Sequence, residues 1–362
     1  MELFIFFSLA FALPFIFIRK RTDSTESVLD KKTSLFIKGI LCIFVMFHNL
    51  SLDYIPSKFG PKPYTGILWI LDRIAEHTGG IAVGIFFFLS AYGLTVSYRK
   101  QGNKFLKKLL LKNFIKLWLI AIFINFLEYI LFFKGSFETK DAILRILNLD
   151  LFNNFNRINR HGWFIASILA FYIIFAIVFF ACSFLKTDKK IYISGFIVAA
   201  IVLIFKLLSM IFDNGGMYTR ELTGLAVGII YALYQNQINN FCKKYFLPIT
   251  ILSSITYICC LFHYEPAAMW ALCILIVTLL QKFTFKNKVI EYFGKICVGV
   301  YLFLHLTTLI LNPYFIDNVW LWMALNSLFI IALAIVLDFA IIGISKFIKI
   351  IVNKTSKKQT DN

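Results

Sequence analysis

Hydrophobic residues occur along this chain in long runs separated by short polar segments. A helix needs about 20 mostly apolar residues to cross the roughly 30 Å hydrocarbon core of a bilayer, and most of the runs approach that length. They lack the strict alternation of a membrane strand, so the pattern predicts transmembrane helices. Eleven runs are recognised, at approximately Leu3–Ile18, Leu35–Leu52, Gly80–Ser97, Phe114–Phe133, Trp163–Leu185, Ile191–Phe212, Glu221–Tyr234, Phe246–Phe262, Pro266–Leu280, Ile296–Leu311 and Val319–Ser345.

The expected fold class is all-α, a polytopic membrane protein of about 10–11 transmembrane helices with no soluble domain. The seventh and ninth runs are short, as re-entrant segments are, so the helix count is less firmly predicted than the class. The chain has 362 residues, of which 60% are hydrophobic and 42 are phenylalanine. That content exceeds what a soluble domain can enclose within a polar surface.

The chain divides into three predicted regions. Residues 1–34 are expected to form an additional transmembrane anchor followed by a basic cytoplasmic linker, residues 35–345 the main membrane domain, and residues 346–362 a basic cytoplasmic tail. The first run is followed rather than preceded by basic residues, so we interpret it as a retained anchor and not a secretory signal. The seven cysteines show neither a disulfide framework nor a paired CxxC spacing.

Lysine and arginine are distributed unevenly between alternate loops. With the amino terminus outside, the inner segments carry 25 of these residues and the outer segments 9, out of 37 in the chain. The positive-inside rule therefore predicts a multi-pass protein of the cell inner (cytoplasmic) membrane, with its amino terminus outside and its carboxyl terminus in the cytoplasm. Contacts with membrane lipid explain the net charge of +18, so no nucleic acid partner is needed.

The second run contains two ionisable residues at opposite ends. Lys38 and His48 are ten residues apart, or about 15 Å along a helix, so one lies near each side of the hydrocarbon core. Ionisable groups are costly at such depth, and a functional role is the default hypothesis. The alternative is a lysine that reaches the interface and a histidine that bonds a neighbouring helix.

Further polar residues fall at similar depths. All five histidines are predicted on the outer side, together with Arg160, His161 and Trp163 before the fifth run and with Arg220 and Glu221 before the seventh. A zinc site is an alternative interpretation, but no histidine pair has the i, i+4 spacing of helical ligands, so no metal is expected. Trp163 is also typical of an interfacial anchor, and Arg220 and Glu221 of an ordinary helix start.

Basic residues cluster on the predicted inner side, before and within the fourth run. They include Arg99, Lys108 and Lys112. Such clusters commonly obey the positive-inside rule or hold anionic lipid, and the same arrangement also suits a phosphorylated cofactor.

In order and spacing, these features resemble the integral-membrane acyltransferase-3 family, which acylates cell-surface glycans. In that family a basic residue and a glycine precede a histidine by about ten residues, a GVxxFFxLSGF-like helix follows, and then come a basic stretch, a WFL-type helix start and a late SxxxYLxH-type helix. The matching positions are Lys38-Gly39 with His48, Gly84–Gly93, Lys108 with Lys112, Trp163–Ile165 and Cys297–His305. The chain departs from the pattern in having lysine for arginine at 38 and in the basic stretch, and Cys297 for serine.

The resemblance implies an O-acyltransferase that uses cytoplasmic acetyl-CoA as donor and a polysaccharide or lipid-linked glycan as acceptor. In this interpretation His48 is the catalytic base, Glu221 or Asp53 orients it, and Arg220, Ser90 or Arg160 stabilises the oxyanion. The donor is held by Lys38, Arg99, Lys108 and Lys112, and the acceptor by Arg160, His161, Trp163 and His305. Direct transfer and a transient acyl-histidine both remain open. A separate extracytoplasmic transferase partner is a further expectation.

Two other function classes stay open on the sequence. In a glycan or small-solute transporter or flippase, Lys38, Lys116 and Lys206, together with the outer histidines, would line a pathway through the membrane. No inverted repeat is visible, and carboxylates within the runs are few, Asp338 being the clearest. A third class is another membrane enzyme that handles lipid-linked sugars, such as a polymerase.

Overall fold

The apolar runs fold into helices because a helix satisfies its own backbone hydrogen bonds in lipid. The structure, a computed structural model, describes residues 16–21, 28–59, 65–149, 158–212, 221–261, 264–315 and 318–360. Its helices are α1 Lys31–Phe59, α2 Gly66–Gln101, α3 Asn103–Phe133, α4 Thr139–Ile146, α5 Gly162–Cys182, α6 Lys190–Phe212, α7 Thr223–Leu233, α8 Gln235–Lys244, α9 Phe246–Cys260, α10 Glu265–Leu279, α11 Lys288–Phe315 and α12 Val319–Thr360.

The predicted all-α membrane class is confirmed. Among the described residues, seven helices are long and apolar enough to cross a bilayer, and three shorter apolar helices, at Thr223–Leu233, Phe246–Cys260 and Pro266–Leu279, accompany them. These ten correspond to ten of the eleven predicted runs. The remaining run, at approximately Leu3–Ile18, lies almost entirely outside the described residues, so the predicted anchor stays a prediction. An eleven-residue helix such as α7 rises only about 16 Å, which is too short for a full crossing.

Two short strands connect the segment that follows the first run to the rest of the bundle. β1 (Ile18–Lys20) pairs antiparallel with β2 (Phe283–Phe285), and the Arg21 guanidinium donates to the carbonyl of Leu280 at 3.0 Å. The predicted linker is therefore held, at this point, against the connection between α10 and α11.

Glycines let the central helices pack with their backbones in contact. A Cβ atom on Gly39 of α1 would overlap the carbonyl oxygen of Ile290, and one on Gly294 of α11 would overlap that of Leu35. In lipid, helices associate through such close packing, since lipid tails are as apolar as the side chains. Within Lys38-Gly39, the glycine is therefore needed for the close packing of α1 against α11.

The pairing of α2 with α7 follows the same rule. Gly224 and Gly228 of α7 lie directly against the backbone carbonyls of Gly84 and Phe88 of α2. α2 consequently runs through the interior of the bundle, with α1 on one side and α7 on the other. Many of its side chains are buried, including the completely buried Phe87.

α3 contains two π-helical turns, Leu109–Phe114 and Tyr129–Phe133. Such turns are rare, and they occur frequently at functional sites because they displace side chains from the regular helical register. The second begins directly after Glu128, which is completely buried.

The glycine packing leads to a first prediction. Gly294→Ala should lower the free energy of unfolding by about 1–3 kcal/mol, because the added methyl meets a backbone carbonyl that cannot move aside. Gly93→Ala is the matched control: it lies on α2 with open space around its Cβ position. That change should stay within about 1 kcal/mol of the wild type. Thermal unfolding in detergent measures both, and equal effects at the two positions would contradict the packing argument.

Candidate active site

Two cavities lie in the interior of the bundle. The first, the Lys38 cavity, has a volume of about 120 Å³ and is lined by residues that include Lys38, Cys42, Ser90, Tyr172 and Cys297. The second, the His48 cavity, measures about 220 Å³ and is lined by residues that include His48, Arg160, His161, Trp163 and Glu221. Val45, Val83 and Tyr301 line both, so the cavities share one wall.

His48 lies on α1, one side of its ring packed against the backbone of α2. A Cβ atom on Gly79 would overlap the imidazole, so only glycine leaves room for the ring at this position. The next residue, Asn49, is buried and donates to the carbonyl of Val45 at 2.8 Å. The imidazole is thereby confined between two helices at the wall of its cavity.

The segment before α5 forms another wall of the His48 cavity. Arg160 makes an ion pair with Asp53 of α1. The backbone N–H of His161 donates to the side-chain oxygen of Asn159 at 2.9 Å, and its ring lies 5.4 Å from that of Tyr301. Asp53, which was expected as an alternative to Glu221 for orienting His48, is therefore paired with Arg160.

Glu221, which precedes α7, is buried and lines the same cavity. Five of the predicted site residues, His48, Arg160, His161, Trp163 and Glu221, are thus brought together from three separate segments of the chain. Their catalytic and binding roles remain predictions.

Burial also sets the protonation state of His161. Desolvation lowers the pKa of His161 well below its usual value, and the nearby positive charge of Arg160 and the rings of His305 and His48 lower it further. His161 is therefore a neutral imidazole near pH 7 and serves as a hydrogen-bonding or packing group rather than a cation.

The structure separates Ser90 from the residues it was expected to assist. Ser90 lines the Lys38 cavity, and its hydroxyl donates to the carbonyl of Phe86 at 2.7 Å. It lies eleven residues beyond Gly79 on α2, about 16 Å along the axis. Since α1 and α2 run antiparallel, Gly79 lies beside His48, and Ser90 shares a cavity with Lys38.

The other predicted donor-binding residues lie outside both cavities. Arg99 donates to the carbonyl of Ala232 at 2.7 Å, and Lys108 and Lys112 are exposed on α3. They lie towards the Lys38 end of the bundle because they follow Ser90 along the chain. Arg220 and His263 lie outside the described residues.

A buried carboxylate was missed by the sequence reasoning. Glu128 of α3 is completely buried, is hydrogen-bonded to His305 Nδ1 at 3.0 Å, and accepts a hydrogen bond from Asn159 at 2.9 Å. Its signal was available, since it is an acidic residue within the apolar run Phe114–Phe133. Asp338, expected to be the clearest intramembrane carboxylate, instead pairs with Lys295 at 2.6 Å.

Comparison with protein families decides the class of this site. The model described as "Acyltransferase domain", that of the acyltransferase-3 family, matches residues 36–341. The chain belongs to the acyltransferase-3 family. It is accordingly a multi-pass membrane acyltransferase, and the resemblance inferred from ordered motifs is confirmed. No curated protein and no solved structure matches the chain.

The matched region includes both cavities of this acyltransferase, since their lining residues run from Lys38 to Leu304. In the part of the chain that the structure describes, no group of three or more His, Cys, Asp or Glu residues is arranged to hold a metal ion.

The buried neutral His161 generates a second prediction. Because its pKa is lowered in the folded state, the unfolded chain binds a proton that the folded chain does not, and stability falls as pH drops below about 6.5. The contribution is at most about 1.4 kcal/mol per pH unit. His161→Phe keeps an aromatic ring beside Tyr301 and removes the titration.

The measurement is thermal unfolding in detergent between pH 5 and pH 8. The wild type should lose stability towards pH 5 more steeply than His161→Phe. Parallel curves for the two proteins would show that His161 is not a buried neutral group.

Proposed function

We propose that this acyltransferase transfers an acetyl group from cytoplasmic acetyl-CoA to a hydroxyl of a cell-surface or lipid-linked polysaccharide. The observation that carries the proposal is the pair of cavities that share Val45, Val83 and Tyr301, with Lys38 in one and His48 in the other. A basic group for a phosphorylated donor and an imidazole for an acceptor hydroxyl thus line neighbouring cavities that share these three residues.

The donor approaches from the Lys38 end. There Arg99, Lys108 and Lys112 supply positive charge for the nucleotide phosphates, and Lys38 extends that charge into the cavity. The pantetheine arm, which is narrow and uncharged, fits the largely apolar Lys38 cavity better than the nucleotide does. Ser90 then lies beside the donor rather than beside the oxyanion.

The acceptor binds in the His48 cavity. His48 takes the proton of the acceptor hydroxyl as its oxygen attacks the acetyl carbonyl, an ester C–O bond forms, the thioester C–S bond breaks, and CoA leaves as a thiolate that takes up a proton. Arg160 stabilises the oxyanion, with Arg220 a further candidate, and Glu221 orients the base. His161, Trp163 and His305 supply polar and stacking contacts for a sugar. An acyl-histidine at His48 would give the same product in two steps.

The membrane setting follows from the charge distribution. The excess of basic residues in alternate loops supports an inner (cytoplasmic) membrane location, with the amino terminus outside, the carboxyl terminus in the cytoplasm and His48 towards the outer surface. A separate extracytoplasmic transferase that passes the acetyl group onward is compatible with this arrangement.

A transporter is less well supported by the geometry. Of the three lysines within predicted spans, Lys38 lines a cavity, while Lys116 is exposed on α3 and Lys206 lies on α6; neither of the latter two lines the Lys38 or the His48 cavity. These two cavities therefore do not form a polar pathway lined by all three lysines.

The proposal predicts the behaviour of His48→Gln. In proteoliposomes supplied with labelled acetyl-CoA and membrane glycan, acetyl transfer should fall by about 10²–10⁴-fold, the usual contribution of a general base. Lys206→Gln is the control, and it should transfer acetyl at the wild-type rate. Retained transfer in His48→Gln would remove the base assignment, and loss in Lys206→Gln with an intact thioester would favour transport.

The proposed role of Lys38 is tested by measuring how well the enzyme uses the acyl donor. Lys38→Gln should raise KM for acetyl-CoA by about 10-fold or more, since a charge-assisted hydrogen bond contributes roughly 1.5–3 kcal/mol. Lys38→Arg, which keeps the charge, should keep KM near the wild-type value. A change in kcat alone, with KM unaltered in Lys38→Gln, would contradict a donor-binding role.

A further inference from the structure

Glu128 and His305 form a buried pair, and the proposed reaction gives no role to Glu128 or to the contact between the two. The Glu128 side chain is completely inaccessible and that of His305 is 13% exposed, with 3.0 Å between Glu128 Oε2 and His305 Nδ1. Phe133 stacks on the other side of the imidazole, its ring centroid 6.3 Å away. A carboxylate is costly to bury in lipid, so one that is kept there and hydrogen-bonded marks a functional position.

Asn159 joins this pair to the His48 cavity. Its side-chain nitrogen donates to Glu128 Oε1 at 2.9 Å and to the carbonyl of Leu302 at 2.8 Å. Its side-chain oxygen accepts the backbone N–H of His161 at 2.9 Å. One amide therefore links α3, α11 and the segment that carries Arg160, His161 and Trp163 into the cavity.

Titratable groups close to His305 come from three parts of the described structure. They are Glu128 from α3, Tyr301 one turn earlier on α11 and His161 from the segment before α5, whose ring lies 6.2 Å from that of His305. His161 in turn is close enough to His48 of α1 and to Arg160 for charge–charge interaction, and Arg160 is paired with Asp53. Glu128 is thus bonded directly to His305, while a second carboxylate, Glu221, lines the cavity that holds His48 and His161.

We infer that Glu128 and His305 are positioning residues for transfer in the His48 cavity. Through Asn159 they hold the Arg160–Trp163 wall in place, and the Glu128 carboxylate supplies the negative charge that offsets the imidazolium formed when the base takes the acceptor proton. The inference rests on the proposed function, since it concerns the same cavity. It adds two residues that hold the cavity wall and offset the positive charge formed on the base.

The hydrogen bond also fixes a tautomer. An ionised Glu128 carboxylate only accepts hydrogen bonds, so it pairs with the tautomer of His305 that carries its proton on Nδ1, which leaves Nε2 of the neutral ring as an acceptor. This is the arrangement in which a carboxylate orients a histidine for proton transfer. Loss of the Glu128 charge removes the electrostatic part and keeps most of the shape, which makes Glu128→Gln the informative change.

The first measurement is independent of activity. The chain has five histidines, so selective ¹⁵N-histidine labelling in detergent gives few imidazole signals. We expect one far-downfield Nδ1 proton, typical of a carboxylate-bonded imidazole, which moves upfield in Glu128→Gln and disappears in His305→Gln. A spectrum without such a signal in the wild type, or unchanged in Glu128→Gln, would overturn the pair whether or not the protein acylates glycans.

The second measurement is the pH dependence of acetyl transfer. Glu128→Gln should lower kcat by about 10- to 100-fold, less than the about 10²–10⁴-fold loss on removing a base itself. The acid limb of kcat/KM should move to lower pH, because removing a nearby negative charge makes the imidazolium form of the base less favourable. A purely structural role would lower activity without moving that limb.

Asp338→Asn is the matched control. It also removes a carboxylate within a membrane helix, but one that pairs with Lys295 on α11. It should leave the imidazole signal and the acid limb unchanged. If Glu128→Gln does not fold, His305→Gln breaks the pair from the other side; wild-type kcat and pH profile in that variant would overturn the inference. If the imidazole signals behave as expected and no protein acylates glycan, the pair stands and the proposed function fails.

Discussion

A bilayer offers no water to polar groups, and this constraint determines where chemistry can occur in the molecule. Each buried ionisable group must contact another polar group or a cavity. Three carboxylate or imidazole groups of the described structure follow that rule: Glu128 is bonded to His305 and Asn159, Asp338 to Lys295, and His48 faces a cavity. Polar residues from distant parts of the chain are consequently collected into a few clusters, while the remaining helix surfaces stay apolar.

Glycine packing makes these clusters geometrically possible. Because α1 lies against α11 at Gly39 and Gly294, and α2 accommodates the His48 ring at Gly79, the helices that carry the site residues approach more closely than larger side chains would allow. The two cavities lie among α1, α2, α5 and α11, and three shared residues line both. The proposed reaction would bring its donor and its acceptor together across this shared wall.

Much of the fold could be predicted from the sequence because the bilayer imposes a length on apolar runs. Ten of the eleven runs appear as helices, and the family was identified from five weak motifs in the correct order. The sequence could not show that Ser90 and His48 line different cavities, since linear spacing does not reveal that α1 and α2 are antiparallel. Glu128 was overlooked because a single acidic residue in an apolar run gives no indication of its partner. The division into anchor, membrane domain and tail stays a prediction.

By itself the sequence determined the membrane class, the family and the set of ionisable residues available for catalysis, because composition and run length respond directly to the energy of moving groups into lipid. Only the tertiary structure decided which of those residues meet. It placed His48, Arg160, His161, Trp163 and Glu221 around one cavity, Lys38 and Ser90 around another, and Glu128 against His305. Such contacts depend on helix rotation and crossing, which are set by packing between side chains far apart along the chain.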